Sequence, residues 1–373
     1  MNAGLLVFIL LLLLSFLGIP IFISLGIGTL IALNMADLPM LVLPQKLFAG
    51  MNSSSLLAIP FFILAGNIMS RSITVKLIDI ANAIIGWIRG SVAVVTVLAS
   101  ALFGAISGSG VATASAIGGI TIPAMQREGY PSEFSTAIAS ISSILGPIIP
   151  PSITLIVYAS ITNVSVSQLF MGSVIPGILL AGSLIVYALV YGKRKNLPAH
   201  EKQTPKQIGH AFKEGIWALL MPIIILGGIY GGIFTPTESA VVAVVYTLII
   251  GFVVYKELTW KKVWDAFMET GALNGTTTFM VGLSMSFAAY LTLAGIPSAV
   301  GQAILSLDAG PVVILLLINV VLLVVGCFVD NISSTIILTP ILLPIAQGVG
   351  MTAVQFGIVM TVNLAIGFIT PPY

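Results

Sequence analysis

Two tracts of the sequence gather oxygen-bearing side chains inside apolar surroundings. One is Ser107-Gly108-Ser109-Gly110, with Thr113 and Ser115 following. The other is Asp330-Asn331-Ile332-Ser333-Ser334-Thr335. Each is followed by a proline-broken apolar segment, Gly146 to Ser152 in one case and Gly367 to Pro372 in the other. Proline lacks an N–H and disrupts the carbonyl four residues back, so adjacent prolines leave several carbonyls free. Free carbonyls beside Ser, Thr and Asn oxygens suit a small hard cation such as Na⁺. The exposed N-termini of half-helices favour an anionic substrate. Catalytic chemistries fare badly. Both histidines, His200 and His210, fall in a basic linker, so Ser107 has no histidine base in the membrane. The lone Cys327 has no neighbouring histidine or second cysteine for a metal site, and no Walker-type loop is present. The residues describe a transporter rather than an enzyme.

Plainer readings stand beside these. Small residues at 107–110 also let helices pack closely, and proline pairs also make kinks that neighbouring side chains repair. Asp330 is a carboxylate within an apolar stretch, functional by default in a membrane, with helix capping as its alternative. Thr235-Pro236-Thr237-Glu238 reads as a capping box with proline at the first helical position. Trp87, Trp217, Trp260 and Trp264 stand near span boundaries as interfacial anchors.

The elements that carry these residues belong to a polytopic all-α membrane protein. Of 373 residues 58% are apolar and 7% charged, too few charges to cover a soluble surface. A net charge of +2 gives no support to nucleic-acid binding. Stretches long enough to span the bilayer, or nearly so, fall near 4–33, 54–70, 91–125, 135–159, 168–191, 215–234, 236–255, 271–293, 310–346 and 353–373. The first lacks the basic leader and cleavage site of a signal peptide, and Gly18-Ile19-Pro20 divides it. Stretches 91–125 and 310–346 are too long for one helix and read as re-entrant hairpins. Residues 74–89 read as an interfacial helix. Lys193, Arg194, Lys195, Lys202, Lys206 and Lys213 mark a cytoplasmic linker over 193–214, with Lys256, Lys261 and Lys262 on the same side.

The chain also repeats itself. Gly146-Pro147-Ile148-Ile149-Pro150-Pro151 matches Gly367-Phe368-Ile369-Thr370-Pro371-Pro372 at an offset of 221. Pro123 matches Pro344 and Gly129 matches Gly350 at the same offset; one residue further, Gly104 matches Gly326 and Asn52 matches Asn274. An odd number of crossings separates equivalent helices, so the halves are inverted in topology. Residues 1–192 form the first repeat, with hairpin 91–125 and broken helix 135–159. Residues 215–373 form the second, with hairpin 310–346 and broken helix 353–373. The second repeat stops one helix short of the first, which implies that the last helix is missing. Inverted repeats, paired hairpins and paired broken helices together indicate a secondary transporter.

At these motifs the sequence resembles the large membrane (M) subunit of the tripartite ATP-independent periplasmic (TRAP) transporters, the DctM-like permeases. The matching segments are Ile59-Pro60-Phe61-Phe62-Ile63-Leu64-Ala65-Gly66, Ser107-Gly108-Ser109, Pro147-Ile148-Ile149-Pro150-Pro151-Ser152, Gly232-Ile233-Phe234-Thr235-Pro236-Thr237-Glu238, Leu338-Thr339-Pro340-Ile341-Leu342 and Gly367-Phe368-Ile369-Thr370-Pro371-Pro372. The resemblance implies a Na⁺-coupled elevator-type importer of the ion-transporter superfamily in a bacterial inner membrane, with no other cofactor. It implies two partners, a small four-helix membrane subunit and a periplasmic substrate-binding protein. The cargo would be a C4-dicarboxylate, a sialic acid or a similar carboxylate. Carried over residue by residue, one Na⁺ site uses Ser107, Ser109, Gly146 and Pro150. The other uses Asp330, Asn331, Ser333, Gly367 and Thr370. The substrate lies between the tips, near Ser109, Thr113, Ser152 and Ser334. A stand-alone Na⁺/divalent-anion symporter with no binding protein is the competing expectation.

Overall fold

The computed structural model describes residues 10, 13–14, 17–52, 54–198, 203–296, 299 and 310–370. Every regular element among them is helical. In chain order they are α1 (Ile21–Met35), α2 (Val42–Met51), α3 (Ala58–Ser70), α4 (Thr74–Ile85), α5 (Ser91–Ser107), α6 (Gly110–Thr113), α7 (Gly119–Arg127), α8 (Ser132–Ser143), α9 (Leu145–Ile148) and α10 (Ile153–Thr162). They continue with α11 (Val166–Arg194), α12 (Pro205–Tyr230), α13 (Pro236–Ile249), α14 (Trp260–Leu293), α15 (Pro311–Gly326), α16 (Asn331–Gly348) and α17 (Ala353–Phe368). A π-helical stretch, Ala114–Gly118, joins α6 and α7 into one rod over 110–127.

Six helices among the described residues are long and apolar enough to cross a membrane: Ser132–Thr162, Val166–Arg194, Pro205–Tyr230, Pro236–Val254, Trp260–Leu293 and Asn331–Gly348. A bent pair, α3 and α4, makes a further span if counted as one. The chain is therefore an all-helical, multi-pass membrane protein. Helix starts are written locally. Thr204, Thr235 and Thr352 each open a helix with a full capping box, closed by Gln207, Glu238 and Gln355 respectively. Thr235 N donates to Glu238 Oε2 at 2.8 Å, and Glu238 N donates to Thr235 Oγ1 at 3.2 Å, so the capping reading of Glu238 is correct.

The chain divides into two compact units. The unit made of 58–153 and 166–270 is organised around α5, which is apolar on every side and almost wholly buried. It packs against α3, α4, α8, α9, α11 and the rod 110–127. Val92, Ala93, Val94 and Val97 join Tyr130, Phe134, Leu184 and Ala188 in one core. The unit made of 1–57, 154–165 and 271–373 is built on α15, α16 and α17, each in contact with the other two. There Tyr158 of α10 donates to Ala353 O at 2.6 Å. Ser286 of α14 donates to Leu43 O of α2 at 2.8 Å.

Several sequence readings change in detail. The first apolar stretch breaks at Gly18 and Pro20, and its described helix begins at Ile21. Stretches 54–70 and 74–89, read separately, supply the bent pair: α3 and α4 meet at 69° across Arg71-Ser72-Ile73. α4, read as an interfacial helix, buries Thr74, Leu77, Ile78, Ile80, Ala81 and Ala83 against α5 and α12 and leaves Val75 and Ile84 exposed. The stretch read as 135–159 runs longer, over Ser132–Thr162, and loses its helical continuity at 149–152 yet stays one span of 31 residues. The stretch predicted at 271–293 begins earlier, at Trp260. All four tryptophans are exposed, as anchors would be.

Candidate functional site

The first tip is built by two glycines and a serine. α5 ends at Gly108, whose φ of +62° is the left-handed conformation that glycine adopts without a Cβ clash. Ser109 is extended and caps the rod 110–127, its Oγ accepting from Ala112 N at 3.3 Å. The rod then folds back along α5. Three oxygens converge at the turn. Thr113 Oγ1 donates to Ser109 O at 2.7 Å and lies 3.3 Å from Ser107 Oγ, which itself lies 3.5 Å from Ser109 O. Ser107 and Thr113 are buried.

The interrupted helix closes on this turn. A Cβ added at Gly146 would stand 2.6 Å from Ser109 O and 2.8 Å from Thr113 Oγ1. From the far side of the break, Ile153 N donates to Gly108 O at 3.3 Å. Ser107, Ser109 and Gly146 thus come together as the family resemblance implies, and Thr113 joins them. Pro150 acts through what it lacks, since it has no N–H to offer the Gly146 carbonyl. The backbone contact with the tip is made by its neighbours: a Cβ at Gly108 would meet Pro151 O at 2.6 Å. Fewer carbonyls are free than a proline pair suggests. Leu145 O accepts from Ile149 N at 2.8 Å, and Pro147 O accepts from Ser152 Oγ at 2.5 Å. Ser152 is fully buried in that role.

The second tip carries a charge. Asp330 is the N-cap of α16, its Oδ2 accepting from Ile332 N at 3.0 Å and Ser333 N at 3.1 Å. Ser333 Oγ donates to Asp330 Oδ1. The capping role weighed for Asp330 is therefore real, and a carboxylate still has lone pairs to spare for another ligand. Ser334 is buried and donates to Val329 O at 3.2 Å. Two further oxygens are stranded. Asn331 Oδ1 and Thr335 Oγ1 are buried and find no hydrogen-bond partner among the described residues. Such an orphan costs about 1–3 kcal/mol unless something fills the gap.

Thr335 was not singled out from sequence as a site residue. Its signal was there: it stands 222 residues after Thr113, the offset that pairs Gly104 with Gly326. Thr370, by contrast, turns away. It is exposed, and its hydroxyl donates back to Ile366 O at 3.0 Å. Gly367 O accepts from Thr370 N at 2.8 Å. No described contact joins Thr370 to Asp330. Pro371 and Pro372 lie outside the described residues, as does His200.

One contact recurs in both units. A Cβ at Gly104 of α5 would lie 2.8 Å from Gly146 Cα, and a Cβ at Gly367 of α17 would lie 2.7 Å from Gly326 Cα of α15. The glycine pairs matched in the sequence are thus matched in space, one pair in each unit. Among the described residues no three His, Cys, Asp or Glu side chains group to hold a metal, so neutral oxygens and one carboxylate are the available ligands. A cleft of about 710 Å³ opens elsewhere in the α5 unit, beside Asp79, Asn82, Glu128, Lys206, His210 and Glu214. It includes none of the tip residues.

Residues 7–373 match the family described as "Tripartite ATP-independent periplasmic transporter, DctM component". Among curated relatives, the isethionate TRAP transporter permease protein DctMQ of Oleidesulfovibrio alaskensis is 41% identical over 358 residues. The alignment covers 95% of this chain but only 56% of that relative's length. The C4-dicarboxylate TRAP transporter large permease protein DctM of Pseudomonas aeruginosa is 41% identical over 328 residues, covering 88% of this chain and 77% of the relative. Among solved structures, the YdaH transporter of Alcanivorax borkumensis shares the fold with a TM-score of 0.62 at 15% identity. That match covers 89% of this chain and 78% of the other.

Proposed function

The chain belongs to the DctM component family of tripartite ATP-independent periplasmic transporters, and from that membership we propose that it is the membrane subunit of a Na⁺-coupled importer of an organic acid. The observation that carries the ion coupling is the second tip. Asp330 is a carboxylate in an apolar region, and no Lys, Arg or His occurs anywhere in residues 263–373 to neutralise it. Beside it stand two buried oxygens with no partner, Asn331 Oδ1 and Thr335 Oγ1. A bound Na⁺ supplies both the missing charge and the missing contacts. Asp330, Asn331 and Ser333 form this site, with Thr335 added to them; Gly367 supports it by close packing, and Thr370 has the weakest claim.

The first tip offers neutral oxygens only, from Ser107, Ser109 and the Gly146 carbonyl that Pro150 leaves without a helical donor. These suit a second Na⁺. Carboxylate recognition falls to hydroxyl donors at Ser109, Thr113, Ser152 and Ser334. Thr113 and Ser152 now donate inward, so substrate binding exchanges one acceptor for another at those positions.

The larger design follows the sequence symmetry: two inverted repeats, each with a re-entrant hairpin and a broken helix, working as an elevator. α5 has 17 residues and α15 has 16, fewer than the roughly 20 needed to cross the hydrocarbon, as hairpin arms would be. The protein resides in the bacterial inner membrane, with a small four-helix membrane subunit and a periplasmic substrate-binding protein as partners. A C4-dicarboxylate or a sialic acid is the cargo class, and the relative named for isethionate extends the list to small organic acids. Uptake into proteoliposomes tests the whole reading. Transport should require an inward Na⁺ gradient and the binding protein together. Full uptake without any binding protein would place the chain with stand-alone symporters instead.

A further inference from the structure

We infer that the seam between α15 and α17 is a positioning device: the Gly326–Gly367 contact and the Asn319–Asn363 hydrogen bond hold the second tip at the depth where its oxygens meet the ion. This rests on the reading of that tip as a cation site. At the tip end, Gly326 and Gly367 let two backbones touch. A Cβ at Gly367 would press on Gly326 Cα, Gly326 C and Leu323 O at 2.7–2.8 Å, and a Cβ at Gly326 would meet Gly367 Cα and Leu364 O at 3.0 Å. No flexible side-chain end lies there to move aside, so any side chain must push the helices apart. About two helical turns back along α15, Asn363 Nδ2 donates to Asn319 Oδ1 at 2.7 Å and to Val359 O at 2.8 Å. Asn319 Nδ2 in turn donates to Leu315 O at 2.7 Å. An amide pair inside apolar helices has no water to replace its partner, so it fixes register as well as proximity.

The first repeat shows what is general and what is particular to this seam. Gly104 and Gly146 make the same backbone contact in the other unit, so close approach is common to both tips. The amide pair is not repeated, because Val97 and Ser142 occupy the corresponding positions. The first tip has a substitute: Ile153 N, beyond the break in the interrupted helix, donates to Gly108 O. The described hydrogen bonds at the second tip stay within it, through Asp330 and from Ser334 Oγ to Val329 O. Against α17 the tip is placed by the seam on the α15 arm and, further along α16, by the contact of Thr339 Oγ1 with Met360 Sδ at 3.5 Å.

The chain's single cysteine, Cys327, follows Gly326 directly and reports on the tip without any engineered label. In the full protein, reconstituted with its partners, the rate of Cys327 alkylation by a maleimide should rise about tenfold in Gly326→Ala, the scale of an overpacked core. It should rise about threefold in Asn363→Leu, the scale of one interhelical amide bond. Gly104→Ala, in the other unit, should leave that rate unchanged. Gly275→Ala, whose added Cβ meets nothing within 4 Å, serves as a neutral control. In both seam variants the half-saturating Na⁺ concentration should rise more than maximal uptake falls. Unchanged alkylation in Gly326→Ala and Asn363→Leu would overturn the seam. Faster alkylation with an unmoved Na⁺ half-saturation would overturn its link to the ion. If wild-type uptake ignored Na⁺ altogether, the ion reading would fall, while the alkylation rates would still judge the packing.

Discussion

Two threonines at equivalent places in the repeat have opposite surroundings, and the same substitution should reveal it. Thr113→Val removes the 2.7 Å bond to Ser109 O and should lower stability by about 1 kcal/mol. Thr335→Val removes a buried hydroxyl that has no partner, so stability without Na⁺ should hold or rise by up to about 1 kcal/mol. Thermal unfolding in Na⁺-free detergent distinguishes them; equal losses would mean that Thr335 is satisfied after all. Asp330 can be separated into cap and charge in the same way. Asn is as good an N-cap as Asp, so Asp330→Asn should keep the fold to within about 0.5 kcal/mol. Its Na⁺-driven uptake should nevertheless fall about tenfold or more, the scale of losing one charge-assisted contact. Normal uptake in that variant would reduce Asp330 to a cap. At this scale the sequence was informative about residue type and poor about partners. The family resemblance, rather than spacing, marked Ser107, Ser109 and Gly146 as neighbours. The sequence could not say that Ser152 would spend its hydroxyl on Pro147 O, or that Thr370 would turn back on its own helix.

The helix start at Thr235 was legible in full, and helix bends only by position: the breaks at Gly18 to Pro20, at 71–73 and at 149–152 were marked, but not their angles. Thr235-Pro236-Thr237-Glu238 specifies its cap within four residues, and the structure forms both reciprocal bonds. Thr235→Ala should therefore lower stability by about 1 kcal/mol. Glu238→Gln keeps an acceptor at the same reach and should leave both melting and uptake unchanged, and a large transport defect would reopen a functional role for Glu238. The 69° bend between α3 and α4 has no comparable local code. It is held by distant partners: Arg71 pairs with Glu269 at 2.5 Å and Lys76 with Glu214 at 2.8 Å, nearly 200 and 140 positions away. The π-helical stretch 114–118, which packs against α5 and α8, was equally silent in the sequence.

Across the whole molecule the scarcity of charge decides orientation, because fourteen basic residues must set the sidedness of every span. In a Cys327→Ser background, Lys195→Cys should react with an impermeant maleimide only from the cytoplasmic side, and Ser165→Cys only from the periplasmic side. Reactivity of both from one side would mean that α11 does not cross, and the proposed inversion of the two halves would fall with it. The matched glycines were the most legible long-range feature, since Gly104 touches Gly146 in one unit and Gly326 touches Gly367 in the other. The capping boxes and the tips also differ in when they can form. A box is complete once four residues have emerged, so α12, α13 and α17 have their starts as soon as they are synthesised. A tip waits for its glycine partner, which follows Ser109 and Asp330 by 37 residues in each case. During insertion each tip must therefore linger unfinished until the helix that carries its glycine partner has been made, so the two tips are among the last local structures to mature.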